Sequence, residues 1–425
     1  MAAAPEVRVR PYWELMLDAD GDPESGRRDR LLREVRERGV RDLVVFAHGW
    51  NNDRSMATRL YDLFFAPFPS LAPDAHLGYV GVLWPSMRFT DEHIPDFDPS
   101  AVAARPVTPR TTLDQGTRHA LGATFPHSAT VVDHLAKLLE QQPERREAFD
   151  EFGGLVRQLV GIRAVAFGAD TTEEESANTA PAMLQENTRD ICLRFADALE
   201  ATADAAALRL PGGLSRAWKG GHELLRQATY FAMKRRAGRV GQKGLGPVLG
   251  RLAAEAPDVR VHLVGHSFGA RLVSFALAGL PDTARNVRSV TLLQGAFSHY
   301  AFAERGALKG RQRRIQGPLV ACYSRFDTAL GTMYPLASRL AGDDAGALDL
   351  GVRWGALGFD GIQDVPGSVR STLAGVLRDG VPHAGCVSVD AASVVRHGPP
   401  PSGAHSDICH EELARIVLGA GRVTP

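Results

Sequence analysis

The extended segments of this chain are marked mainly by unbroken apolar runs. Leu43 to Ala47, in "RDLVVFAHGWNND", contains no polar residue. Such a run predicts a strand buried on both faces, as parallel sheets require. It stops at His48-Gly49-Trp50. Upstream, Val7 to Leu17 has strand character and gives way to the turn "DADGDPESG" and a helical pattern from about Arg28. Downstream, Asp53 to Phe65 reads as a helix, and "LGYVGVLWPS", Leu77 to Ser86, supplies the next strand, broken at Pro85. Strand, helix, strand predicts a right-handed parallel unit.

After Ser86 this alternation halts. A Pro-rich stretch, "DEHIPDFDPSAVAARPVTPR", is followed by helical patterns over Thr130 to Gln142, Glu147 to Val160 and Thr188 to Ala207. Residues 87–220 therefore read as an inserted, mainly helical module between a first part of the core, 1–86, and a second, 221–425. From Gly221 a long helix or helix pair leads to the strand Val259 to Val264. Helix Ala270 to Leu280, the strands "VRSVTLLQG", "PLVACYS" and "GCVSVDA", and a C-terminal helix "CHEELARIVLGA" follow. The expected fold is α/β, with a mostly parallel central sheet flanked by helices. There is no internal repeat.

Composition narrows the function classes. Of 425 residues, 44% are hydrophobic and 23% charged, the balance of a globular protein with a sizeable core. The 49 basic and 49 acidic residues cancel, so no overall field recruits nucleic acid or an anionic membrane. Basic runs at Lys234 to Arg236 and Arg311 to Arg314 read as solvated faces, and no nucleic-acid partner is expected. The N-terminus lacks a signal-peptide core, and no run approaches the ~18 apolar residues of a membrane helix. These features predict a cytoplasmic protein without an integral membrane segment. Cys192, Cys322, Cys386 and Cys409 are scattered, with no CxxC pair, and read as reduced, mostly buried thiols. The five-residue spacing of His405 and His410 in "HSDICH" does not place two ligands on one helix face, so no metal is expected.

The chemistry concentrates in "VRVHLVGHSFGARLVSFALAGL", Val259 to Leu280. Strand, sharp turn and helix place Ser267 on the turn Gly265-His266-Ser267-Phe268-Gly269. Small flanking residues are needed there because the turn is strained and tightly packed. A serine hydroxyl needs a base to take its proton, and the base needs a carboxylate to orient it. Asp327 lies just past the strand "PLVACYS", and His405 lies in the loop between the last strand and the final helix, in the order Ser, Asp, His. Asp327 could instead cap a helix starting at Thr328. Asp360 and Asp390 are its rivals as the acid. His397 and His410 compete with His405, but His410 falls on the final helix and His397 sits close to the strand end. Two backbone N–H groups should receive the charge of a tetrahedral intermediate: that of Phe268, and that of Trp50 in a loop shaped by His48 and Gly49. Phe64, Phe65 and Phe68 read as core residues, with at most one lining a pocket.

The motifs "FAHGWNN", "LVGHSFGARL", "YSRFDTAL" and "GAHSDI" together resemble the α/β-hydrolase superfamily, especially bacterial members with an HG-aromatic-Asn-Asn loop and lipase-like or esterase-like character. The likeness covers Val7 to Ser86 and Gly221 to Gly419. It implies a serine hydrolase acting on a small-molecule or lipid-like ester, or on an amide or thioester, with no cofactor. In that superfamily insertions act as caps, so residues 87–220 are expected to form a helical cap over Ser267. The rival reading is a catalytically silent scaffold of this fold whose insertion binds a protein partner. A dinucleotide-binding oxidoreductase also uses a parallel sheet, but the turn at Gly265 lacks GxGxxG, and "GLGPVLG" at Gly244 has the wrong spacing.

Overall fold

A computed structural model describes residues 6–50, 52–87, 89, 112–161, 182–202, 213–333, 355–398 and 402–423. Among these, eight strands form one open sheet: β1 (Tyr12–Met16), β2 (Asp42–Ala47), β3 (Leu77–Leu83), β4 (Arg260–His266), β5 (Val287–Leu293), β6 (Pro318–Tyr323), β7 (Val369–Thr372) and β8 (Gly385–Asp390). The spatial order is β1-β3-β2-β4-β5-β6-β8-β7, and every neighbouring pair is parallel. The chain has an α/β fold.

Burial follows position in the sheet. The inner strands β2 and β3 are buried at every residue, because helices cover both faces, and apart from Asp42 at the start of β2 their sequences carry no charge. The edge strand β1 alternates between buried and half-buried residues. At the other edge β7, "VRST", is mostly exposed and offers no apolar signature, which is why the hydrophobic pattern does not reveal it. Phe46, Tyr61, Phe64, Phe65, Phe68 and Tyr79 form one aromatic cluster on the β2–β3 side, so all three phenylalanines of that segment are core residues.

The strand order doubles back at β3 and again at β8. From β2 the chain passes through helix Arg54–Phe65 to β3 on one side. On the other side of β2 lies β4, followed outward by β5 and β6. In an open parallel sheet, the loops at the C-terminal ends of the two strands flanking such a reversal diverge and leave a crevice between them. Ala47 pairs with Gly265. The segments beginning at His48 and His266 therefore leave the sheet side by side.

Other departures from the hydrophobic pattern have local causes. Of the run Val7 to Leu17 only Tyr12–Met16 is strand, because Pro11 has no N–H to give a ladder. The long helical stretch before β4 runs as Leu214–Val240, a π-helical turn at Gly241–Leu245 and a helix Gly246–Glu255. Helix Gln115–Thr124, with two glycines and little amphipathic pattern, escapes the sequence reading, although Asp114 caps it by accepting from Thr117 N–H at 3.0 Å. Lys234, expected on a solvated face, is buried, and burial pushes the nearby Arg236 guanidinium down to about 10.

By proximity of its residues the chain divides into two compact units: Met1–Ser86 with Lys234–Pro335 and Gly351–Pro425, and Met87–Met233 with Leu336–Leu350. The first holds the sheet. In the second, helices Ala129–Gln141, Glu147–Leu159 and Thr188–Thr202 follow the apolar spacing of their sequences. Phe149 stacks on Trp218 at 4.4 Å between ring centres, with Phe152 edge-on at 5.5 Å. The Pro-rich segment 91–110, residues 203–207 of the expected third helix and Asn51 lie outside the described residues. No helix among the described residues is long and apolar enough to cross a membrane.

Candidate active site

Ser267 stands between β4 and helix Phe268–Gly279, with φ 55° and ψ −119°. A side chain at positive φ is strained by about 1–3 kcal/mol, and such strain persists only where surrounding structure enforces it. Here the enforcement is visible. Ser267 N–H donates to Leu293 O at 3.1 Å, and Ala296 N–H donates to Ser267 O at 3.2 Å, so the end of β5 and the segment after it hold the turn at both its N–H and its carbonyl. A Cβ on Gly269 would lie 1.9 Å from Ala47 O, and one on Gly265 would lie 2.4 Å from Gly269 O. Only hydrogen fits at either place.

The acid and the base come from the ends of β6 and β8. Asp327 is fully buried in the turn after β6. Its Oδ1 accepts from Leu330 N–H at 3.0 Å and its Oδ2 pairs with His405 Nδ1 at 2.7 Å. The two sequence-based roles of Asp327, capping and orienting an imidazole, are thus both present, one on each oxygen. Burial pushes its carboxyl up, and the His405 imidazole and the Leu330 amide pull it back. His405 lies in the turn Gly403–Ser406 of the loop between β8 and helix Glu411–Gly421. That loop is joined to the Asp327 turn by Ala404 N–H to Phe326 O at 2.9 Å and Ala329 N–H to Ser402 O at 3.2 Å.

The proton positions follow from the partners. A carboxylate only accepts, so His405 Nδ1 carries a hydrogen and Nε2 presents a lone pair. Ser267 Oγ lies 2.9 Å from that Nε2 and donates its hydroxyl hydrogen to it. The chain Ser267–His405–Asp327 is complete. The rivals are engaged elsewhere. Asp360 holds His299 Nδ1 at 2.8 Å, His410 Nε2 pairs with Asp407 at 2.8 Å, and Asp390 accepts from Ala392 N–H at 3.0 Å. The His397 N–H is bound to Asp407 at 2.8 Å.

The loop after β2 closes on the serine. A Cβ on Gly49 would come within 2.7 Å of Ser267 Cβ, and the Trp50 and Phe268 rings are 6.2 Å apart. His48 is anchored on three sides. Its N–H donates to Tyr61 Oη at 3.1 Å, its carbonyl accepts from Trp84 Nε1 at 3.0 Å, and its ring stacks on Trp84. Burial holds its imidazole down at about 4, so the ring is neutral, with Nδ1–H donating to Gly49 O at 2.8 Å. Asn52 Nδ2 reaches the same carbonyl at 3.4 Å. Because the peptide unit is planar and trans, fixing the Gly49 carbonyl fixes the Trp50 N–H in the opposite direction. Phe268 is the first residue of its helix, where backbone N–H groups point out of the helix end.

Two buried polar residues that follow β5 escaped the sequence reading. Gln294, one residue past β5, is fully buried at φ 44°, with neither side-chain polar atom hydrogen-bonded among the described residues. His299 is 1% exposed, and the His299–Asp360 pair leaves His299 Nε2 without a partner among the described residues. The only signal for either was position, since both follow a strand's C-terminal end. No protein-family model, no curated protein and no solved structure matches this chain.

Proposed function

We propose that this chain is a serine hydrolase of the α/β-hydrolase type, cleaving a carboxylic ester of a small-molecule or lipid-like substrate through an acyl-enzyme. The observation that carries the reading is the hydrogen-bonded series Ser267 Oγ, His405 and Asp327 on a strained turn at the sheet's reversal between β2 and β4. Ser267 Oγ attacks the ester carbonyl carbon as its proton passes to His405 Nε2. Asp327, held at Nδ1, stabilises the imidazolium and fixes its tautomer. The oxyanion is received by the N–H groups of Phe268 and Trp50. Collapse of the tetrahedral intermediate breaks the ester C–O bond, and His405 returns the proton to the departing alkoxide. Water, deprotonated by His405, then attacks the acyl-serine; collapse breaks the bond between Ser267 Oγ and the acyl carbon, Oγ takes its proton back from His405, and the acid leaves. Thioester and amide carbonyls are open to the same sequence, and no step needs a cofactor.

The test is covalent labelling with a fluorophosphonate probe, followed by a panel of esters of graded acyl length. Stoichiometric labelling at Ser267, lost in Ser267→Ala with an unchanged melting temperature, is the expected result. Labelling at a different serine, or no labelling of the folded wild-type protein, overturns the assignment.

A further inference from the structure

The residue before Ser267 makes a contact that the reaction above does not use. His266 Nε2 lies 2.8 Å from the carbonyl oxygen of His405, and the two rings lie 5.1 Å apart at 44°. A carbonyl can only accept, so Nε2 carries the hydrogen and donates it. The other nitrogen, Nδ1, is buried with no hydrogen-bond partner among the described residues. The side chain is 4% exposed. A buried imidazole with a single bond on one nitrogen and a bare lone pair on the other carries the desolvation cost of that lone pair. A leucine or phenylalanine would avoid the cost at this position. What the histidine supplies instead is the donor to His405.

We propose that His266 is a positioning residue for the catalytic base, clamping the His405 main chain to the turn that carries the nucleophile. The inference rests on the serine-hydrolase reading. It follows from adjacency: the dipeptide His266–Ser267 touches His405 at two points, Ser267 Oγ on the ring at 2.9 Å and His266 Nε2–H on the backbone at 2.8 Å. Asp327 fixes the far edge of the ring. Three bonds, two of them from neighbouring residues on one rigid turn, leave the imidazole no freedom to swing away from the hydroxyl. Without the His266 bond the base hangs on the loop after β8 through its ring and the two backbone bonds to the Asp327 turn. Burial, reinforced by the charge that His405 takes up, holds the His266 imidazole down at about 3. His266 therefore stays neutral while its neighbour is protonated, so two adjacent imidazoles do not share the proton.

The experiment compares His266→Phe with His266→Gln, because the Gln amide nitrogen can replace the imidazole Nε2–H and the Phe ring cannot. The readouts are the second-order rate of fluorophosphonate labelling at Ser267 and the melting temperature. Loss of the clamp should slow labelling about 10- to 100-fold in His266→Phe, the scale of an ångström-level misplacement of a catalytic group. His266→Gln should restore most of that rate at a similar melting temperature. Equal rates in His266→Phe and wild type, or no rescue by Gln in a folded variant, overturn the proposal. If both variants fail to fold, nitrogen-15 spectra of histidine-labelled wild-type protein decide. The expected signature is a neutral Nε2–H tautomer for His266 that does not titrate between pH 8 and about 5. An Nδ1–H tautomer or an ordinary titration refutes the clamp. The spectra need no activity, so failure of the clamp is distinguishable from failure of the hydrolase reading, which shows as an unlabelled wild-type serine.

Discussion

Replacing Gly49 by Ala should separate catalysis from folding at this site. The added methyl would sit 2.7 Å from Ser267 Cβ and 3.2 Å from both His266 Nδ1 and His266 O. Carbon atoms in ordinary contact lie about 3.5–4.0 Å apart, so the loop or the serine must yield by roughly 1 Å. The loop yields first. Ser267 is gripped on both sides by backbone bonds, whereas Gly49 is tethered through side chains to its carbonyl. A shift of that size carries the Trp50 N–H away from the oxyanion position and should lower kcat about 10²-fold. The cost in stability should stay near the 1–3 kcal/mol of ordinary overpacking. The assay pairs kcat on an accepted ester with urea denaturation. Gly269→Ala is the control, because its methyl would meet backbone at 1.9 Å inside the core, and there folding should fail before catalysis does. Wild-type kcat in Gly49→Ala would refute the packing of this loop on the serine.

Three further outcomes are expected. Asp327→Asn should lower kcat about 10⁴-fold, because an amide at Oδ2 permits the wrong imidazole tautomer, and a loss under tenfold would remove Asp327 from the mechanism. Asp42→Ala should cost about 1–3 kcal/mol, because it leaves the buried His262 Nε2–H without its acceptor and the half-exposed Arg260 without its carboxylate. The rate of Ser267 labelling per folded molecule should be unchanged in that variant, and a large fall would tie Asp42 to the site. Stability should drop on acidification below pH 6.5, because burial lowers His48 to about 4 and His266 to about 3, so the unfolded chain binds protons that the folded chain refuses. The two together predict roughly 3 kcal/mol less stability at pH 5 than at pH 6.5, and urea midpoints that do not move over that interval would contradict the neutral assignments.

The parallel sheet was legible in the sequence because its inner strands are buried on both faces, and runs such as Leu43 to Ala47 are short, hold β-branched residues and are unbroken by polar ones. β7 was not, because an edge strand with exposed side chains needs no apolar residues. Ser267, Asp327 and His405 were legible as candidates because Ser267 and Asp327 come just after β4 and β6 and His405 lies in the loop between β8 and the last helix, where position restricts the alternatives. Gln294 and the His266 clamp were not. The amide environment of Gln294 comes from the fold around it, and the His266 bond joins residues 139 positions apart.

Residue type alone would not have found the site, because the same three types meet twice in this sheet. Ser289 Oγ lies 2.9 Å from His262 Nδ1, and His262 Nε2 lies 2.8 Å from Asp42 Oδ1. Hydrogen bonds to His262 and Arg260 outweigh burial and hold the Asp42 carboxyl low, so it is ionised and His262 Nε2 carries the hydrogen. Nδ1 is then free to accept from the serine hydroxyl, the same proton order as at Ser267 with the ring nitrogens exchanged. The difference is place. Asp42 and Arg260 begin β2 and β4, and His262 and Ser289 lie within the first three residues of their strands, so this series sits at the N-terminal edge of the sheet. His262 and Ser289 are fully buried, and a Cβ on Gly421 of the last helix would touch the His262 ring at 2.4 Å. Ser289 lies inside β5 and not on a strained turn at a strand's C-terminal end. Hydrogen bonds of the right kind make a proton path; strain, strand C-termini and backbone donors are what single out the Ser267 series for the proposed attack on a carbonyl. A fluorophosphonate that ignores Ser289 in the Ser267→Ala protein would bear directly on that distinction, and a probe that reacts with Ser289 would break it.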